Sequence, residues 1–413
     1  MKDTRQLRTG LIGTHLAHSF SPLIHAALGD YEYRLIELCP EELATFFEKR
    51  DFDALNVTIP YKQKVIPYLS SLSQNATRIG AVNTVIKQAD GTLFGDNTDY
   101  GGLLDMIDSL GISLTDKKVL VLGSGGASRT AVAVASDLGA REVVVISRNG
   151  ENNYENLEKH ADAEIIINTT PVGMYPSNGE KPLSLRGFPR LAAVYDLIYN
   201  PARTALLLEA KRLGIPYRNG LLMLVSQARR AAELFTGEVI PTERSLEIAA
   251  SIERSTKSIV LVGMPGCGKS TLGSLLATEL GLDFIDTDKV LEQKAGIPIP
   301  EILRLEGEAG FRKRESAVLR DVCKRGGRVI ATGGGVVTVE ENGPIMEENA
   351  AVLFLDADPA TLPTAGRPLS LQKTPAVLYR EREHLYRRYA DITVKVTRDV
   401  EENLKHIKEA LKQ

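Results

Sequence analysis

At 413 residues the chain is long enough for two or three domains with sizeable cores. Its 43% hydrophobic and 25% charged residues are ordinary for a globular protein, and a net charge of −3 excludes a nucleic-acid footprint or a basic membrane patch. The opening "MKDTRQLRTG" lacks a signal-peptide apolar core and no apolar run reaches transmembrane length, so a cytoplasmic protein is expected. The three cysteines, Cys39, Cys267 and Cys323, form neither a disulfide framework nor a zinc spacing, and each is expected to be a small buried or loop residue.

Short apolar runs alternate with amphipathic helical patterns, which predicts an α/β fold. The first strand run is "TGLIG" at 9–13. Polar clusters follow over the first hundred residues: "AHSFSPLIH", "NVTIPYK", "GAVNT" and "GDNTD". Singly, these read as turns and helix caps. Together they bring hydroxyls, amides, a lysine and an aspartate suited to a small polyol.

Strand runs at 117–123, 142–147, 164–170 and 193–199 come next. The first enters "GSGGASRT", so that strand, glycine turn and helix follow in the order a dinucleotide site needs. Gly123 suits the tight turn. Gly125 and Gly126 let the backbone approach a pyrophosphate on the N-terminus of the following helix. Ser128 stands at the third glycine position and is small enough for close packing. After the second strand stands Ser147-Arg148-Asn149, with no acid for a ribose 2′-hydroxyl. An arginine suits a 2′-phosphate, so NADP(H) is favoured over NAD.

Residues 242–254 carry apolar positions at helical spacing, and a domain boundary is placed near Ser255–Lys257. Strand runs resume at 258–263, 328–334 and 351–356. The first enters "GMPGCGKST", a phosphate-binding loop between strand and helix. Glycine amides cradle phosphates, Lys269 reaches the β- and γ-phosphates, and Ser270 can ligand Mg²⁺. Beyond it lie Asp286 and Asp288 after a strand, Arg312 and Glu315 in "GFRKRE", Gly333, Gly334 and Gly335 in "ATGGGVV", Arg367 in "AGRPL" and Arg382 in "REREHLY". Guanidinium groups pair with phosphates and carboxylates in bidentate fashion, although any one of these arginines alone reads equally as a solvated charge.

The ordered motifs of residues 9 to about 250 resemble shikimate dehydrogenase. The resemblance implies substrate contacts from Ser19, Ser21, Asn56, Thr58, Asn83, Tyr199 and Gln227, with Lys62 and Asp99 as the catalytic pair. A lysine carries a proton at neutral pH and can protonate or stabilise the oxyanion left by hydride transfer to a ketone. The cofactor loop would be Gly123, Gly125, Gly126, Ala127 and Ser128, with Ser147 and Arg148 at the 2′-phosphate and Asn168 and Thr169 of "NTTPVGM" beside the nicotinamide. The chain departs from the family at "SRN", where Asn-Arg-Thr is frequent, and at Tyr100, where glycine commonly follows the aspartate.

Residues 258–396 resemble shikimate kinase. The resemblance implies ATP and Mg²⁺ at Gly266, Gly268, Lys269, Ser270 and Thr271, with Asp286 on the Mg²⁺ side and Asp288 polarising the attacked hydroxyl. Shikimate would meet Arg312, Gly333, Gly334, Gly335 and Arg382, and Arg367 would be a lid arginine reaching the phosphates. Here the lid segment "DADPATLPTAGRPLS" is shorter than usual and lacks the arginine expected to stack on adenine.

The expected architecture is a substrate lobe (1–103), a Rossmann NADP lobe (104–235), a C-terminal helix (236–255) and a P-loop kinase domain with a parallel sheet (257–413). The implied activity is a fusion of the two enzymes, making shikimate from 3-dehydroshikimate and then shikimate 3-phosphate, in aromatic amino-acid biosynthesis. The expected partners are small molecules, not nucleic acid or membrane, and the sequence sets no oligomeric state. Two other readings stand beside it: an NAD-dependent quinate/shikimate dehydrogenase, against which Ser21 and Arg148 speak, and a fusion in which one half is a non-catalytic regulatory module.

Overall fold

The computed structural model describes residues 6–16, 19–362 and 374–411. The chain forms two compact units, residues 1–251 and 252–413.

The first unit begins with β1 (Arg8–Gly13), α1 (Ser21–Leu28), β2 (Glu32–Glu37), α2 (Leu43–Lys49), β3 (Ala54–Val57), β4 (Ser71–Leu72), α3 (Gln74–Ile79), β5 (Thr84–Lys87), β6 (Leu93–Asp96) and α4 (Asp99–Asp108). Six strands make one sheet in the order β2-β1-β3-β5-β6-β4. β5 runs antiparallel to both neighbours and the other pairings are parallel. Ile12, Leu55, Val57, Val85 and Leu93 from the strands pack with Phe47, Phe52 and Tyr61. The reversal at β5 sets Asn56 opposite Thr84, and Thr84 opposite Asp96, so the end of β3, the start of β5 and the end of β6 meet at one rim.

The second lobe comprises β7 (Lys118–Leu122), α5 (Gly126–Asp137), β8 (Glu142–Ile146), β9 (Ile165–Asn168), β10 (Ala193–Asp196), α6 (Ala205–Arg212), β11 (Tyr217–Arg218) and α7 (Leu221–Thr236). Its sheet is parallel throughout, in the order β11-β10-β9-β7-β8. Helices cover both faces, which explains why "KVLVL" is apolar without alternation. Val119 and Val121 pack under α4, α5 and α7, while Leu120 and Leu122 pack on the opposite face with Leu206 and Leu207. Tyr100, the unusual residue after Asp99, donates to Asp137 at 2.6 Å, and Arg78 pairs with the same carboxylate.

Helix α8 (Glu243–Thr256) crosses the division between the units. The expected boundary lies a few residues downstream, because the last helical turn bonds forward: Thr256 O accepts from the Gly327 amide. The second unit continues with β12 (Ser258–Gly263), α9 (Lys269–Leu280), β13 (Asp283–Asp286), α10 (Thr287–Ala295), α11 (Ile299–Cys323), β14 (Arg328–Ala331), α12 (Asn342–Glu347), β15 (Ala350–Ala357), α13 (Pro375–Tyr389), β16 (Ile392–Val396) and α14 (Val400–Ala410). Its strand order, β13-β14-β12-β15-β16, is parallel and puts the fully buried β12 at the centre. Ligands of such sheets bind beyond the strand ends where the order reverses. Helix α11 bends at Gly307, whose φ of 68° suits glycine. Among the described residues no helix is long and apolar enough to cross a membrane.

Candidate active sites

At the rim where β3 and β5 meet, the first unit gathers a polar network. Lys62 lies in the loop after β3, its carbonyl held by the Val82 amide at 2.7 Å. Its Nζ donates to Asp99 Oδ2 at 2.6 Å, the side chains being 27% and 12% exposed. Asp99 opens α4, where the helix N-terminus favours negative charge. Asn83 Nδ2 lies 2.9 Å from Asp99 Oδ1 and 3.2 Å from Gln227 Oε1, and its Oδ1 accepts from the Thr98 amide at 2.7 Å. Asn56 sits behind at the end of β3, its Nδ2 directed at Asn83 O and Thr84 Oγ1. Thr58 follows, half-buried, its amide bonded to Ile12 O. Ser19 and Ser21, which starts α1, are linked Oγ to Oγ at 3.1 Å, and Tyr199 packs on the intervening Phe20 at 5.6 Å between ring centroids. Burial pushes the Tyr199 hydroxyl above its ordinary pKa.

The glycine turn after β7 has the geometry a phosphate site needs. Gly123 takes φ 107°, and a Cβ there would meet the Thr169 hydroxyl at 2.8 Å. A Cβ on Gly125 or Gly126 would meet nothing within 4 Å, so internal packing does not demand glycine there. Helix α5 begins at Gly126, and a helix N-terminus with open space beside it is the kind of place an anion binds. Ala127 is half-buried in the first turn and Ser128 is buried in the helix. Ser147 and Arg148 follow β8, half-buried and exposed respectively.

Asn168 and Thr169, expected beside the nicotinamide, are directed inward. Asn168 is fully buried, donating to Asp196 at 2.9 Å and accepting from both the amide and the hydroxyl of Thr170. Thr169 Oγ1 donates to Leu122 O at 2.6 Å. Their side chains build the turn under the cofactor loop, because the ends of β7, β9 and β10 leave polar groups that need partners in the interior. Asp196 is the hub of this knot, accepting also from Thr204 and the Ile198 amide, and burial raises its pKa to about 6.

The second unit holds a cavity of about 720 Å³ at the end of β12. It is lined by Gly266, Gly268, Lys269, Ser270 and Thr271 on one side and by Asp286, Asp288, Arg312, Gly333, Gly334, Gly335 and Arg382 on the other. Gly268, at φ 92°, turns the loop into α9. Lys269 Nζ donates to Gly263 O and Met264 O, both at 2.9 Å. Ser270 Oγ donates to Asp286 Oδ2 at 2.6 Å, pairing two hard oxygen ligands of the kind Mg²⁺ takes alongside phosphate oxygens. No group of three or more His, Cys, Asp or Glu suited to a metal occurs among the described residues. Asp288 is half-buried, its Oδ1 is buried without a hydrogen-bond partner, and its pKa rises to about 6 through burial and then the charges of Glu315 and Asp286.

Arg312 donates to Glu315 at 2.7 Å and to Glu308 at 3.1 Å, while Arg382 donates to Gly334 O at 3.3 Å. The glycine run is required by what packs on it. A Cβ at Gly333 would lie 2.6 Å from Glu315 Oε1 and 3.0 Å from Asp288 Oδ1, and one at Gly335 would collide with the Arg312 guanidinium. The sequence motif leaves Glu315 without a role; its spacing from Arg312, three positions along one helix, is the signal that pairs them. Tyr386 has no such signal, yet it is fully buried and its hydroxyl donates to Gly334 O. Arg367 lies outside the described residues.

These features define an α/β oxidoreductase lobe pair and a P-loop kinase domain in one chain. Residues 11–85 match the family model of the shikimate dehydrogenase substrate binding domain, and residues 265–412 match that of shikimate kinase. The NADP(+) shikimate dehydrogenase of Caldanaerobacter subterraneus subsp. tengcongensis is 36% identical over 258 residues, 55% of this chain and 91% of that one. That of Shouchella clausii is 38% identical over 273 residues, 59% and 97%. Among solved structures, a chorismate mutase/shikimate 5-dehydrogenase fusion protein from Clostridium acetobutylicum is similar with a TM-score of 0.56 at 35% identity, covering 59% of this chain and 96% of that one. Shikimate 5-dehydrogenase from Thermus thermophilus, in complex with NADP(H) and shikimate, gives 0.55 at 34%, covering 59% and 99%. The chain belongs to the shikimate dehydrogenase family and carries a shikimate kinase domain behind it, a bifunctional enzyme of the shikimate pathway.

Proposed function

We propose that the first half reduces 3-dehydroshikimate to shikimate with NADPH and that the second phosphorylates shikimate to shikimate 3-phosphate with MgATP, in the cytoplasm. The dehydrogenase would occupy 1–255 and the kinase 257–413. The observation that carries the reading is the meeting of Lys62 and Asp99 at 2.6 Å, with Asn83 on the second carboxylate oxygen. The cofactor supplies a hydride to the ketone carbon. Lys62 holds the carbonyl oxygen and gives it a proton as negative charge develops there. Asp99 orients the ammonium and takes a hydrogen bond from a substrate hydroxyl. Ser19, Ser21, Asn56, Thr58, Asn83, Tyr199 and Gln227 surround the ring and carboxylate. Gly123, Gly125, Gly126, Ala127 and Ser128 shape the pyrophosphate seat. Exposed Arg148 awaits the 2′-phosphate, Ser147 flanks it, and Asn168 and Thr169 support the nicotinamide end.

In the kinase half the nucleotide supplies the γ-phosphoryl group. Gly266, Gly268, Lys269 and Thr271 hold phosphate oxygens, and Ser270 with Asp286 would hold Mg²⁺. Asp288, which lines the cavity with its Oδ1 buried and unpartnered, accepts from the hydroxyl to be phosphorylated. Arg312, Arg382 and the run Gly333–Gly335 seat the substrate carboxylate and ring, and Arg367 neutralises charge on the transferring group. Such catalysis is mostly positioning and charge neutralisation. The test is a paired assay on one preparation: shikimate-dependent NADP⁺ reduction, and shikimate-dependent ADP release. Both must appear, and chelation of divalent metal must stop only the second.

A further inference from the structure

Behind the dehydrogenase site lies an aromatic stack that the proposed chemistry leaves unused. Tyr33 comes from β2, and its hydroxyl donates to Asn56 Oδ1 at 2.7 Å. The other side of that amide is held more loosely, Nδ2 reaching Asn83 O and Thr84 Oγ1 at 3.3 Å each. Asn83 O accepts only, so it takes Nδ2 and leaves Oδ1 to a donor. The phenol stays protonated, since burial pushes Tyr33 well above the ordinary tyrosine range while the Ser21 hydroxyl works the other way. The Tyr33 ring is itself fixed. It stacks on His25 at 3.8 Å and 10°, and His25 stacks in turn on Phe235 at 5.6 Å and 15°. His25 is 1% exposed, bonded through Nδ1 to the Tyr31 hydroxyl at 2.7 Å, and burial holds it neutral with a pKa lowered to about 3.

We propose that Tyr33 is a positioning residue of the dehydrogenase site: its hydroxyl sets the rotation of the Asn56 amide, and the stack on His25 holds that hydroxyl in place. This rests on the reading that Asn56 meets the substrate. An unrestrained primary amide turns over easily, because its terminal torsion is broad and its two ends are alike in shape. With Oδ1 anchored, Asn56 keeps one orientation at the site, and shikimate binds an amide already oriented.

The test compares Tyr33→Phe, Asn56→Ala and the double variant. Phenylalanine keeps the ring and the stack and removes only the hydroxyl. Tyr33→Phe raises the KM for shikimate roughly ten-fold, the loss expected for one hydrogen bond, with kcat and the KM for NADP⁺ little changed. Kinase activity of the same polypeptide is retained, and the unchanged KM for NADP⁺ reports that the first unit is folded. The double variant is no worse than Asn56→Ala alone, since the two residues act as one. An unchanged shikimate KM in Tyr33→Phe, beside an impaired Asn56→Ala, overturns the assignment. Equal rises in both KM values also overturn it, as they mark a general structural loss. A normal Asn56→Ala overturns the substrate-site reading itself and this assignment with it.

Discussion

Replacing Lys62 by alanine takes away the ammonium bonded to Asp99, and it leaves the carboxylate with Asn83 at 2.9 Å and the N-terminus of α4. The pair is partly exposed, at 27% and 12%, so the folded state loses about 1–3 kcal/mol, a hydrogen bond to a charged group. The effect on chemistry is larger. A positioned acid contributes about 10²- to 10⁴-fold, which at 1.36 kcal/mol per decade is about 3–5 kcal/mol of barrier. Lys62→Ala therefore lowers kcat for NADP⁺ reduction by two to four decades (about 10²–10⁴-fold) while ADP release continues at the wild-type rate. Lys269→Ala does the reverse, because each of the two lysines has its partners within its own unit. Both rates are read from one sample, by nicotinamide absorbance and by coupled ADP detection. A Lys62→Ala enzyme retaining more than about a tenth of its kcat would refute the acid role, since even a weak general acid contributes more. Loss of both activities in a folded single variant would disprove the independence of the two sites.

Arg148→Ala narrows the preference for NADP⁺ over NAD⁺, measured as the ratio of the two kcat/KM values; equal use of both cofactors by the wild type would remove Arg148 from the 2′-phosphate. Asp196 titrates near 6 when folded, above the ordinary aspartate value of about 3.9, so the folded state binds its proton more tightly and the cost of ionising it appears as pH rises. The thermal transition of the first unit therefore falls between about pH 4 and pH 6, and Asp196→Asn flattens that slope in calorimetry, whereas an unaltered slope would sink the assignment. The short segment before Arg367 lacks a stacking arginine for adenine, so the kinase should accept GTP more readily than longer-lidded relatives, and strict ATP selectivity in a side-by-side assay would contradict this.

The glycine-loop strands are legible because burial on both faces leaves continuous apolar runs, as in "KVLVL" and "SIVLVG". The first sheet is harder to read. β2 alternates poorly between exposed and half-buried positions, with no apolar face to announce it, and nothing local marks its Tyr33. Lys62 and Asp99 stand out by motif resemblance and are brought together by the antiparallel turn at β5, a pairing that no local pattern encodes. Asn168 illustrates the converse. Its motif points to the cofactor, but the buried strand ends claim its amide first. Tyr386 reads as one aromatic in a basic helix, and only the fold reveals that it props the glycine run.

The reversed hairpin of β5 and β6 has a consequence for engineering. Its open ends, Thr84 and Asp96, face the catalytic rim, while its closed end is the turn between Lys87 and Leu93. Gln88, Ala89 and Asp90 there are exposed, and the turn is fastened by Gln88 N to Thr92 O at 2.8 Å. A peptide tag or reporter spliced into that turn would hang from the end of the hairpin remote from Lys62. The sheet can thus carry foreign cargo at one end while the substrate is handled at the other.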